Sequence, residues 1–144
     1  MNMQEVSMLN SICKTTQMGI WGIDAVQKET EDRQLLSALE AQKQEYVEIH
    51  TEADRLLRSR GRTPASISPM VKQTSTWSAR MRARVSSDPT AKIAEMTLQG
   101  NTRGMIKSMH NIRTMGVIDP KVSTLSNRLL QTEQANIEEM KKYL

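Results

Sequence analysis

Residues 64–85 read PASISPMVKQTSTWSARMRARV, and the fold turns on what this stretch is. It holds no Asp or Glu and separates two halves that both carry helical patterning. Ile67, Met70, Thr74, Trp77, Met81 and Val85 recur at steps of three and four, the repeat that gathers side chains on one face of a helix, while Lys72, Arg80, Arg82 and Arg84 fall mostly elsewhere. The expectation is an amphipathic basic helix over residues 69–85, a rod of roughly 25 Å at the usual rise per residue. Such a rod carries the chain from one end of a helical bundle to the other. The helices before and after it can then point the same way, as two antiparallel hairpins joined by one long crossover. A plain up-down-up-down order is the competing topology.

The composition suits helices. The 144 residues contain no Phe, two Trp and two Tyr but eleven Met, so a core must be built from aliphatic side chains and thioethers. The length fits one domain, residues 1–144. A solitary Cys13 has no intrachain partner for a disulfide, no uninterrupted apolar leader opens the chain, and no stretch approaches a membrane span. These features predict a cytoplasmic protein. The net charge of +4 is unevenly laid out: Lys28 to Asp54 carries eight acids against three bases, and Arg55 to Arg84 carries eight bases and no acid. That polarity suits an anionic partner, self-association of unlike patches, or simple solvation.

Around the bridge the apolar periodicity predicts four long helices, at about 4–27, 29–60, 89–115 and 120–143. The first places Leu9, Ile12, Thr16, Gly19, Ile23 and Val26 on one stripe, widened by Met8 and Ile20. Gly19 and Gly22 each lower helix stability by about 1 kcal/mol relative to Ala, which predicts a neighbouring helix packed closely against them. The second helix has the cleanest stripe, Leu35, Leu39, Gln42, Tyr46, Ile49, Ala53 and Leu56, and Gly61 supplies its left-handed stop. Thr63-Pro64, Ser68-Pro69, Asp88-Pro89 and Asp119-Pro120 each read as a cap followed by a first-turn proline. Gly116 is expected to end the fourth helix, and Gly100 and Gly104, one turn apart, to allow tight helix contact.

Each long helix breaks its stripe with polar residues near its midpoint: Thr16, then Gln42 with Glu45, then Asn101, then Glu133 with Asn136. With the helices aligned end to end these side chains form one internal layer, costly to bury unless they bond to one another, to water or to a metal. With the two hairpins, the run QKQEYVEIHTEADRLL and the closing run LLQTEQANIEEMKKYL, the chain resembles the ferritin-like superfamily, in particular small bacterial bundles related to spore coat protein F. The resemblance implies a ferritin-like four-helix bundle with a long crossover containing an extra amphipathic helix. In di-iron members two helices each offer a Glu and two offer Glu-x-x-His. Here Thr16 and Asn101 stand at the single-Glu positions, Gln42 with Glu45 at one paired position and Glu133 with Asn136 at the other. Two carboxylates and no imidazole remain, so the resemblance implies a degenerate metal site with no resident metal or cofactor.

No Gly-rich phosphate loop, serine elbow or paired-Cys site occurs; His50 and His110 read as surface or boundary residues, and Cys13 as a core or boundary residue. No catalytic residue and no small-molecule substrate emerges. The expected function is that of a non-catalytic structural or protein-interaction component, with itself or another protein as partner, in a coat-like assembly if the resemblance holds. One alternative is a polyanion-binding module using Arg55, Arg58, Arg60, Arg62, Arg80, Arg82 and Arg84, although few aromatics are present for base stacking. The other is residual metal binding or oxidase-like chemistry at Glu45 and Glu133.

Overall fold

Three of the four X-Pro pairs open helices in the computed structural model, which describes residues 2–144; Met1, the first residue of the 1–144 unit, lies outside the described residues. The side chains of Ser68, Asp88 and Asp119 accept from the backbone N–H groups of Met70, Ala91 and Lys121, each with proline at the first helical turn. The fourth pair differs: Pro64 lies in an extended segment that Asn10 and Gln17 of the first helix pin by accepting from Ala65 N and Ile67 N at 3.0 and 3.2 Å. The helices are α1 (Met3–Val26), α2 (Arg33–Ser59), α3 (Pro69–Arg84), α4 (Pro89–Thr114) and α5 (Pro120–Met140). No strand occurs among the described residues.

Helix α2 starts later than its acidic approach suggested. Gln27–Glu29 forms a 3₁₀ turn, and Asp32 caps α2 by accepting from Leu35 N at 2.9 Å. Its far end stops at Gly61, which takes φ +71°, the left-handed conformation expected there. Gly116 does not share that role. The α4 C-cap is Met115 in extended conformation, and Gly116 N–H donates to Gln4 Oε1 instead.

The stripes of α2 and α5 are buried as patterned, from Leu35 to Leu56 and from Val122 to Met140. Lys43 pairs with Asp24 and Arg62 reaches Met3, so α1 and α2 are antiparallel. Tyr46 meets Glu133 and Arg60 meets Asp119, so α2 and α5 are antiparallel too. Asn111 donates to Ser11, which sets α4 antiparallel to α1. Hence α2 and α4 run the same way. The chain leaves α2 at the Arg60–Asp119 end and enters α4 at the other, where Thr30 and Thr90 hydroxyls lie 2.7 Å apart.

Within that connection α3 presents the opposite side to the one its pattern predicts. Met70, Val71, Trp77 and Val85 are exposed, Trp77 at 64%. The inward face is Thr76, Ala79 and Ala83, with Ala83 fully buried. Small side chains let the α3 backbone approach α1, and its cations reach back across the gap: Lys72 sits 4.6 Å over the Trp21 ring, Arg80 donates to the Ala25 carbonyl, and Arg84 pairs with Glu29. A short bridge on α1 can satisfy these polar anchors only by turning its larger apolar residues outward.

Candidate ligand cleft above a polar core layer

Tyr46 is the hub of the polar layer. Its phenol donates to Glu133 Oε1 and accepts from Asn101 Nδ2 at 2.9 Å and from Asn136 Nδ2 at 3.5 Å. Asn101 Nδ2 also lies 3.4 Å from Gln42 Oε1. Gln42, Asn101, Glu133 and Asn136 therefore converge, from α2, α4 and α5, in a buried network. Burial drives the Glu133 carboxyl up to about 7, with the Tyr46 hydrogen bond opposing part of that rise. Burial also holds the Tyr46 phenol well above its ordinary range, with the Glu133 charge adding to the effect, so Tyr46 stays a neutral donor.

Two residues assigned to the layer lie outside it. Glu45 is half-buried and faces Arg128, whose Nε donates to it at 2.8 Å while Nη2 donates to Glu48 at 2.7 Å. Hydrogen bonding from Arg128 holds the Glu45 carboxyl below its ordinary value. Thr16 is buried, but its hydroxyl bonds the Ile12 and Cys13 carbonyls and lies 3.1 Å from His50 Nδ1. Position 45 follows 42 by three residues, which on a helix leaves it far enough round to reach the α5 flank. Tyr46, four residues on from Gln42, takes the inward place. The pattern treated Tyr46 as apolar, yet a buried tyrosine hydroxyl needs a partner, and that requirement was the available signal.

The layer thus holds one carboxylate, a phenol and three carboxamides. A pair of iron ions, which needs several anionic or imidazole donors, does not fit these residues. Among the described residues no three His, Cys, Asp or Glu side chains gather as a ligand set.

The arginines form no single patch. Arg55 pairs with Glu52, Arg58 with Asp54, and Arg60 with both Glu5 and Asp119, all around the α2 C-terminus. Arg62 donates to Met3 Sδ in the same region. Arg80 and Arg84 are engaged at the opposite end, by Ala25 and Glu29, and Arg82 is exposed on α3. Cys13 is fully buried, and burial pushes its thiol up to about 11.

Above the layer a cleft of about 340 Å³ opens between α1 and α4. Gly19 and Gly22 line one wall and Gly100 and Gly104 the other, with Met18, Ile23, Val26 and Met96 as apolar surface and Ala79 of α3 at one side. Gln42, Tyr46, Asn101 and Glu133 form the floor, and the exposed Lys14, Arg103 and Lys107 stand at the mouth. The close approach expected at the glycines holds at Gly19 and Gly104 and fails at Gly22 and Gly100. A Cβ at Gly19 would fall 2.5 Å from Tyr46 Cε2, and one at Gly104 would overlap Glu133 Oε2, so these two admit the floor side chains. At Gly22 and Gly100 a Cβ would meet nothing within 4 Å, because the cleft lies there.

At the floor, Gln42 Nε2 and Asn101 Oδ1 have no hydrogen-bond partner, although Gln42 and Asn101 are only 3% and 2% exposed. A buried donor and acceptor left unmet cost on the order of 1–3 kcal/mol each. Comparison with family models, with curated proteins and with solved structures gave no match to this chain.

Proposed function

We propose that this chain is a non-catalytic binding protein: a ferritin-like four-helix bundle, with α3 as an extra helix in its crossover, that holds a small molecule in the α1–α4 cleft. The single observation that carries this reading is the pair of unmet polar atoms, Gln42 Nε2 and Asn101 Oδ1, among the residues lining a cleft whose walls are largely apolar. A concave apolar site with a few convergent polar groups is the usual form of a ligand pocket, and its volume falls in the usual range. Binding rather than turnover suits the residues present. The thiol is buried, and the phenol is committed to three hydrogen bonds, one of them to Glu133.

The neutral fluorescent probe N-phenylnaphthylamine tests the reading. It should bind saturably at one site per chain, and Gly22→Leu and Gly100→Leu, which place side chains into open cleft space, should abolish that binding while the protein stays folded. Absence of saturable binding, or binding indifferent to both substitutions, contradicts it.

One observation favours a second role in protein association. Met70, Val71, Trp77 and Val85 give α3 an exposed apolar side. Docking of a second copy or another protein there, as the coat-protein resemblance implies, would make sedimentation depend on concentration in the wild type and not in Trp77→Ser.

A further inference from the structure

The mouth and floor of the cleft differ in charge, and the difference bears on what kind of molecule fits. Lys14, Arg103 and Lys107 are exposed at the mouth and have no carboxylate partner among the described residues. Many other cations of the bundle are matched: Arg55, Arg58, Arg60, Arg84, Arg128, Lys43, Lys92, Lys141 and Lys142 all pair with carboxylates. Glu133 is the only acid in the lining, and it lies at the floor, 1% exposed.

Resting on the cleft reading above, we infer that the ligand is an amphipathic anion, its charged end at Lys14, Arg103 and Lys107, its apolar body along the glycine-lined walls, and a neutral hydrogen-bonding group at Gln42 and Asn101. The orientation follows from electrostatics. An anion at the floor would lose its hydration beside a carboxyl group and meet no cation there, whereas at the mouth it meets three cations and keeps contact with water. The floor holds one unused donor, Gln42 Nε2, and one unused acceptor, Asn101 Oδ1, both shut off from solvent, so a ligand group reaches them by turning these amides toward the cleft. A hydroxyl, a primary amide or a protonated carboxyl group can answer both at once. An ether or a plain alkyl end cannot.

Displacement of bound N-phenylnaphthylamine by three compounds of one chain length separates the terms: ω-hydroxydecanoate carries both groups, decanoate only the anion, and decanol only the hydroxyl. The hydroxy acid should displace the probe at about fivefold lower concentration than either of the others, a ratio in the range expected for one hydrogen-bonded or charge-assisted contact. Its advantage over decanol should shrink with added salt and disappear when Lys14, Arg103 and Lys107 are all changed to Gln. Equal displacement by decanol, or an advantage that survives the triple substitution, overturns the charge assignment. Equal displacement by decanoate overturns the floor assignment. A probe that never binds the wild type is a different failure, that of the cleft reading itself.

Discussion

Gly104 stands directly against Glu133: a Cβ at position 104 would occupy the place of the Glu133 Oε2 oxygen. The absence of a side chain on α4 is thus what lets the α5 carboxylate sit buried beneath the cleft. Gly100, one turn earlier on the same helix, faces open space.

These two glycines should respond oppositely to the same substitution. Gly104→Ala gains helix propensity but must displace a buried carboxylate, an overpacking cost of about 1–3 kcal/mol, so the variant is less stable. Gly100→Ala gains up to about 1 kcal/mol with nothing to displace. Urea unfolding of both variants gives the signs.

Glu133 makes stability depend on pH in a defined window. Its carboxyl titrates at about 7 in the folded protein against an ordinary 4.5, so between those values the folded state holds a proton that the unfolded chain has lost. Stability therefore falls as pH rises through the window, by on the order of 3 kcal/mol. Glu133→Gln removes this slope: wild type and variant converge near pH 4.5, and the variant is the more stable above neutrality. Glu45→Gln behaves differently. It breaks a partly exposed ion pair with Arg128, so it costs less than about 1 kcal/mol, and the cost fades as the pH falls below the carboxylate range.

The docking of α3 can be tested through two of its residues. Trp77→Ser should change stability by no more than about 0.5 kcal/mol, since the indole is mostly in water. Ala83→Leu should cost about 1–3 kcal/mol, because position 83 has no exposed surface and abuts the bundle. The reverse order would restore the orientation that the apolar pattern alone predicts.

Retention on heparin should be weak and lost at low salt. Arg55, Arg58 and Arg60 around the end of α2 meet carboxylates within the same chain, and Arg80 and Arg84 of α3 are engaged at the other end of the bundle. Elution only at high salt would show that a continuous basic surface exists.

Much of the fold was legible from periodicity because α2 and α5 each bury one continuous face at helical spacing. The caps at Ser68, Asp88 and Asp119 were equally readable, as local chemistry fixes them. For α3, periodicity identified a helix but not its inward side. A two-sided helix held by alanines and long cations carries its docking information in what the neighbouring helix offers, here the Trp21 ring and the Ala25 carbonyl. The polar layer was half legible for a related reason: Gln42, Asn101, Glu133 and Asn136 converge, but the exchange of Glu45 for Tyr46 depends on Arg128 being across the α5 flank. The cleft was not legible at all, since glycine spacing reads the same whether the facing helix is close or set apart.

The most direct test of the cleft as a ligand site is heteronuclear NMR of nitrogen-labelled protein titrated with ω-hydroxydecanoate, following the side-chain amides of Gln42 and Asn101 beside the indole N–H of Trp77. Both amides should shift together with the backbone signal of Gly100 and saturate with one equivalent, while the Trp77 indole on the exposed side of α3 stays in place. Shifts confined to Trp77 and its neighbours, with the Gln42 and Asn101 amides unmoved, would put the ligand on the outer face of α3 and contradict the account.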